Sequence, residues 1–417
     1  MTRLLAIMGS GETAPTMVKV HRALLEQVGG PAAGAVLLDT PYGFQENADL
    51  ISARAVEYFD DSVGHAIEVA SWRTPDDGAA VREQALDRIR RAAYVFAGPG
   101  SPTYALRVWR GSPLSDLLSD KLVRGGCVTF ASAAVLTLGL VTVPVYEIYK
   151  VGETPRWEAG LDLLRAFGLR VAVIPHYDNA EGGNHDTRFC YLGERRLALL
   201  EAELPDDAFV LGVDEHTACL IDLDAGSASV LGNGVVTVRK AGASVEFPAG
   251  EVVGLDEVRA VGQNARRPRA AVTQRERAPS VTPERKPAGL LAEAERLSNT
   301  FDAAVDNRDV DAAVAAILEL DRTIVDWSRD TLQSDEPDRA QSILRALVVR
   351  LGEVARTGIG DPAAVVAPFV DAVLEARAVA RSGGDFATAD ALRDRLGAAG
   401  VEVHDSADGT TWELRSL

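Results

Sequence analysis

The chain has 417 residues, with 43 Lys and Arg against 61 Asp and Glu, a formal net charge of −18 and an isoelectric point near 4.8. A composition 47% hydrophobic and 25% charged excludes wholesale disorder, and the length leads to an expectation of two domains. The acidity excludes a protein that coats nucleic acid or anionic membrane without specificity, because long-range repulsion would oppose both. Three cysteines, Cys127, Cys190 and Cys219, lie in apolar stretches and are too few for a disulfide framework, which places the expected protein in the cytoplasm. Five apolar residues after Arg3 are too short for a signal-peptide core. The charge-free stretch 127–146 is broken by Gly139 and Pro144, so it reads as a buried helix and strand of a soluble protein.

Up to about residue 240, short apolar runs alternate with helical patterns. Strands are expected at 4–8, 35–38, 93–97, 128–130, 171–174 and 209–213, and helices at 16–28, 47–59, 79–91, 104–119 and 157–167. That alternation predicts a doubly wound, mainly parallel α/β sheet with helices on both faces. From 218 to 245 three β patterns separated by Gly-containing turns read as antiparallel hairpins. Residues 265–288, with Arg266, Arg267, Arg269, Arg275, Arg277, Arg285 and Lys286, have the composition of a Pro- and Arg-rich linker. Helical patterns then run over 290–307, 310–330, 338–356, 365–381 and 386–399, followed by a short strand at 401–404 and a turn at Asp408-Gly409. The expected organisation is an α/β domain over 1–264, a linker over 265–288 and an all-α helical bundle over 289–417.

Ligands of a doubly wound sheet bind at the carboxyl ends of its strands. The loops there are Gly9-Ser10-Gly11-Glu12, Gly98-Pro99-Gly100-Ser101, Phe130-Ala131-Ser132-Ala133-Ala134 and Pro175-His176-Tyr177-Asp178. Ser132 closely follows a strand and is flanked by alanines, as a nucleophile on a tight strand-to-helix turn requires. The amide of Ala133 would then face an oxyanion, and the side-chain-free Gly100 segment would add a second donor. A serine capping a buried helix is the competing account. His176, at a strand end, is the candidate base, because a neutral imidazole can accept a serine proton near neutral pH. Glu147 follows closely enough to orient that imidazole, unless it simply pairs with Lys150. A third account uses His176, Asp178, His185, Asp186, Asp214, Glu215 and His216 as ligands of a metal-dependent hydrolase, although their spacings match no closed ligand motif.

The Gly9-Ser10-Gly11-Glu12 start, the Gly98-Pro99-Gly100-Ser101-Pro102 turn, the Ser132-Ala133 elbow and Gly212-Val213-Asp214-Glu215-His216-Thr217 resemble the serine peptidase family of dipeptidase E and cyanophycinase. Its fold is similar to that of class I glutamine amidotransferases, and the resemblance covers roughly the first 240 residues. It implies Ser132 as nucleophile, His176 as base and Glu147 as orienting acid, with Asp178 and Glu215 as fallback acids. It implies cleavage of amide bonds beside aspartyl or β-aspartyl groups, with Arg188 holding the substrate carboxylate and Asp178 and Glu215 lining its site. The family usually has glycine where this chain has Phe130 and Ala134, and Phe130 is expected to crowd the oxyanion side.

The stretches 378–395 and 401–405 and the closing Asp408-Gly409-Thr410-Thr411-Trp412-Glu413 resemble the C-terminal helical region of cysteinyl-tRNA synthetase and the related mycothiol ligase. The His-Ile-Gly-His and Lys-Met-Ser-Lys-Ser type signatures of a synthetase core are absent, so aminoacylation is not implied. The expected activity is serine-type hydrolysis of a peptide or isopeptide bond through an acyl-Ser132 intermediate. An adaptor that binds tRNA or protein is the alternative. No cofactor or metal is called for. The expected partners are a small peptide or isopeptide substrate, tRNA weakly, and a second copy in a homodimer, with no membrane.

Overall fold

The computed structural model describes residues 2–180, 185–263, 289–327, 336–357, 362–406 and 409–415. The chain separates into two compact units, one of Met1–Glu293 with Thr323–Arg339 and one of Ala294–Arg322 with Ala340–Leu417. The expected linker, 265–288, lies outside the described residues.

The first unit holds strands β1 (Arg3–Met8), β2 (Ala35–Leu38), β3 (Glu68–Ala70), β4 (Tyr94–Ala97), β5 (Gly126–Ala131), β6 (Val141–Thr142) and β7 (Glu158–Ala159). They are followed by β8 (Val171–Ile174), β9 (Phe209–Val213), β10 (Thr217–Asp222), β11 (Ser227–Gly232), β12 (Val235–Lys240), β13 (Ala243–Pro248) and β14 (Val252–Gly254). An eight-stranded sheet has the order β14-β11-β10-β1-β5-β4-β2-β3, and a six-stranded sheet the order β13-β12-β9-β8-β6-β7. Pairing is parallel from β1 through β5, β4 and β2 to β3, and again at β6-β8 and β8-β9. It is antiparallel where β10, β11, β12 and β13 pair, as the turn signals in that stretch predict.

Alternation along β1 shows why the sheet is covered on both faces. Leu5 and Ile7 enter one core cluster with Val128 and Phe130, while Leu4, Ala6 and Met8 enter another with Cys127 and Ala131. A strand apolar at every position needs an apolar partner layer on each side. The helix Ala79–Arg91 supplies part of one layer by turning Ala85, Leu86 and Ile89 inward. Strands at 35–38, 171–174 and 209–213 and the helix at 79–91 fall where their patterns place them.

Three expectations are corrected. The pattern at 104–119 is two helices, Pro102–Trp109 and Leu114–Arg124, because Gly111 takes φ +71° and Pro113 opens a new helix start. Residues 157–167 are not one helix, since Gly160 packs its α-carbon against Gly139, leaving β7 and a 3-10 turn at Leu163–Phe167. The apolar stretch after Ser132 is likewise a 3-10 turn, Ser132–Thr137, which ends before β6.

The second unit includes the helix Glu336–Thr357 from Ala340 onward, together with Pro362–Ser382 and Phe386–Ala398, and closes with strands β15 (Val401–Ser406) and β16 (Gly409–Leu414). The hairpin is antiparallel, pairing Val403 with Trp412. Val401 and Val403 pack with Val370 and Leu396, and Arg377 clamps Asp405 through two hydrogen bonds of 2.9 and 2.6 Å. Among the described residues no helix is long and apolar enough to cross a membrane. The three cysteines are free and buried.

Candidate active site

β8 and β9 are parallel neighbours, with Ile174 opposite Gly212. Residues two or three beyond that register therefore emerge side by side, which brings His176 and Glu215 together. β5 ends at Ala131 beside β1, and the loop after β1 closes the gap because the amide of His176 donates to the carbonyl of Gly9 at 3.3 Å. Ser132, His176 and Glu215 thus meet from three strand ends.

Their geometry is a relay. Ser132 Oγ lies 2.9 Å from His176 Nε2, and His176 Nδ1 lies 2.7 Å from Glu215 Oε1. With the ring proton on Nδ1 facing the carboxylate, Nε2 is left to accept from the Ser132 hydroxyl. Ser132 and His176 both adopt left-handed backbone, at φ +51° and +46°. Such conformations cost free energy in residues with side chains and persist where surrounding structure enforces them, as at nucleophile turns. Ser132 is 8% exposed and His176 7%, so the pair is shielded from bulk water.

Glu215 is held from two sides. Asn179 Nδ2 donates to Glu215 Oε1 at 3.3 Å, and the Glu215 amide donates to Asp178 Oδ1 at 2.8 Å. Burial pushes the Glu215 carboxyl up, but the hydrogen bond and charge of His176 outweigh it and hold the group below its usual range. Burial raises Asp178, and raises Asp214 to about 7 with help from the Asp178 charge. Of the two residues expected at the substrate, Glu215 lies on His176 Nδ1 and Asp178 on the Glu215 amide.

Glu147, expected on the far side of the imidazole, is elsewhere. Its Oε1 accepts from Thr103 Oγ1 at 2.7 Å, and Thr103 in turn meets Ser101 at 3.0 Å. Arg188, expected to hold a substrate carboxylate, is already on one: Asp186 takes its Nε and Nη2 at 2.9 and 2.8 Å. That pairing, ahead of the opposing effect of burial, holds the Asp186 carboxyl far below its usual range. Phe130 does not crowd the site. Its ring is fully buried against Trp109, with centroids 6.0 Å apart, because alternation along β5 turns it into the core.

Ala133 is the second residue of the 3-10 turn, where the first amides have no partner within the turn. Gly100 takes φ +131°, and a Cβ there would lie 2.1 Å from the Pro41 carbonyl, so only glycine fits. The Gly98 carbonyl accepts from Ala134 at 3.4 Å, which fastens this loop to the Ser132 turn.

Two of the histidines in the metal account carry other bonds. Both ring nitrogens of His176 are engaged, and His216 Nδ1 lies 3.0 Å from Thr16 Oγ1. Among the described residues, the one grouping of three metal-type side chains is Glu402, His404 and Glu413, on the C-terminal hairpin.

Two kinds of known protein resemble this chain. Residues 366–412 match the family model described as the cysteinyl-tRNA ligase anticodon binding domain. The chain is 34% identical over 127 residues to the cysteine–tRNA ligase of Paenarthrobacter aurescens, covering 30% of this chain and 22% of that protein. It is 37% identical over 173 residues to that of Micrococcus luteus, covering 38% and 33%. The chain thus spans a third or less of the length of these relatives. The N-terminal part aligns with the solved structure of a peptidase from an acI-B1 Actinobacterium, at TM-score 0.50 and 20% identity, covering 61% of this chain and 97% of that one. At that identity the likeness establishes the fold. The chain therefore joins an α/β unit of peptidase-like fold to a C-terminal segment of the tRNA-ligase type.

Proposed function

We propose that the α/β unit is a serine-type hydrolase of peptide or isopeptide bonds, working through an acyl-Ser132 intermediate in the cytoplasm. The Ser132–His176–Glu215 relay at 2.9 and 2.7 Å, on a strained turn, is the observation that carries this reading. Ser132 Oγ attacks the substrate carbonyl while His176 Nε2 takes its proton. The Glu215 carboxylate stabilises the imidazolium that forms, and the Ala133 amide, with backbone of the Gly98–Gly100 loop, receives the oxyanion. His176 then protonates the leaving amine, and water activated by the same imidazole releases the acid from Ser132.

Asp186 takes the Nε and Nη2 donors of Arg188, so a substrate carboxylate would meet the remaining guanidinium N–H groups or exchange with Asp186, and the aspartyl preference implied by the resemblance depends on that contact. The test is a fluorophosphonate probe followed by mass spectrometry. The adduct should sit on Ser132, vanish in Ser132→Ala and persist with chelator. Ser132 left unmodified by the probe would remove the reading.

A second reading, a tRNA-binding adaptor, is favoured by the match of residues 366–412 to an anticodon-binding domain. Both readings hold together if the helical segment delivers the hydrolase to an RNA-bound substrate.

A further inference from the structure

We propose that Trp327 is a positioning residue for the Ser132 relay, acting through His216; the proposal rests on the hydrolase reading above. Trp327 closes the helix Val310–Trp327, far along the chain from the strand-end loops, yet residues 323–339 belong to the first compact unit. Its indole meets the His216 imidazole edge to face, with centroids 5.2 Å apart and planes at 72°, and Trp327 is only 6% exposed.

His216 directly follows the acid Glu215. Its backbone is left-handed at φ +51°, a conformation uncommon for residues with a side chain, although His enters it more readily than most. Three neighbours hold the ring. Gly11 lies so close that a Cβ would fall 2.1 Å from His216 Nδ1, Thr16 Oγ1 bonds the same nitrogen at 3.0 Å, and Trp327 meets the ring. The His216 carbonyl also accepts from Asn233 at 3.1 Å. Burial lowers His216 to about 4, so the ring is neutral near pH 7 and does not compete with His176 for the Glu215 charge. Without the indole, the Asp214–Thr217 turn loses one wall of its clamp. The Glu215 carboxylate, held then by Asn179 and by the Asp178 bond to its amide, gains room to shift from His176 Nδ1, and small displacements in such relays are costly.

The experiment uses the full chain and two readouts. In Trp327→Ala, labelling of Ser132 by the fluorophosphonate probe should slow by roughly tenfold to a hundredfold, whereas Trp327→Phe should stay close to wild type. Independently, NMR titration of the histidine rings, with His216 assigned by its loss in His216→Asn, should show His216 moving from about 4 towards 6.5 in Trp327→Ala. Unchanged labelling in a folded Trp327→Ala protein would overturn the proposal, and so would an unchanged His216 titration. Failure of wild type to label at all would instead strike the hydrolase reading, with the NMR result still deciding the contact.

Discussion

The carboxylate on His176 Nδ1 belongs to Glu215, at 2.7 Å, while Glu147 accepts from Thr103 at the same distance. Two acids that a sequence reading treats as rivals therefore have separable consequences. Ser132→Ala and His176→Ala should each lower turnover by a similar large factor, roughly 10⁵–10⁶, because serine and base act as one unit. Glu215→Gln should cost less, about 10³–10⁴, since it disturbs orientation and charge without removing the nucleophile or the base. Glu147→Gln should stay within about tenfold of wild type, because its bond to Thr103 touches neither reacting nitrogen. Steady-state kinetics on one cleaved peptide would check the order. A Glu147 effect equal to that of His176 would contradict the assignment of the acid.

Phe130 stands where the family resemblance leads one to expect glycine, and its ring is buried against Trp109 in the core. Phe130→Gly should therefore not open the active site. It should remove a fully buried aromatic ring and lower stability by about 3–5 kcal/mol, as large-to-small core changes do. Urea denaturation gives the stability and probe labelling gives the site. Faster labelling with unchanged stability would show that the ring obstructs the oxyanion side after all.

The parts of the site that were legible in the sequence lie at strand ends with local signals. Ser132 among alanines and His176 after 171–174 need only their own neighbours to be found. The carboxylate partner of His176 was harder, because its identity depends on which strands are adjacent. Glu147 is closer in sequence to Ser132, but β8 and β9 are paired, and that pairing selects Glu215. The pairing of Arg188 was not legible either: its partner, Asp186, is only two residues away, yet sequence does not say whether such a pair closes on itself. The contact of Trp327 with His216 carries no sequence signal, since a Trp near the end of a helical pattern reads as ordinary core.

His21 makes a stability prediction with a definite sign. It is fully buried, with one ring nitrogen 2.7 Å from Tyr94 Oη and the other 2.7 Å from the Glu12 carbonyl. Burial lowers it to about 4 from 6.5, outweighing the opposing bond to the Glu12 carbonyl. Between those values the unfolded chain binds a proton there and the folded chain does not, so stability falls as pH drops from above 6.5 towards 4. The contribution is roughly 3 kcal/mol. His216 acts in the same direction, while Asp214, raised to about 7, acts in the opposite one. Comparing wild type with His21→Gln cancels both. The variant should be less stable at pH 7.5 but show a flatter loss on acidification in urea midpoints. Parallel curves would mean that His21 is not held neutral.

The last prediction concerns RNA. Beyond residue 288 the chain has no Lys and more Asp and Glu than Arg, and several of its arginines already serve Asp405. Arg377 binds that carboxylate twice, Arg381 approaches to 3.1 Å and Arg393 to 4.0 Å. Charge committed to an internal carboxylate contributes little to a phosphate backbone. Of the other basic residues, Arg395, on the helix Phe386–Ala398 with Arg393, and the seven within 265–288 are the sources expected to contribute, the latter outside the described residues. Any tRNA affinity should therefore be weak and dependent on both groups. With a few phosphate contacts, binding should fall by about ten- to a hundredfold between 50 and 200 mM salt. Anisotropy titrations of the full chain would measure this, beside a variant with Arg266, Arg267, Arg269, Arg275, Arg277, Arg285 and Lys286 changed to Gln. Tight binding by that variant, insensitive to salt, would place RNA recognition on the helical unit itself. No binding by wild type at low salt would make the unit a protein-contact module.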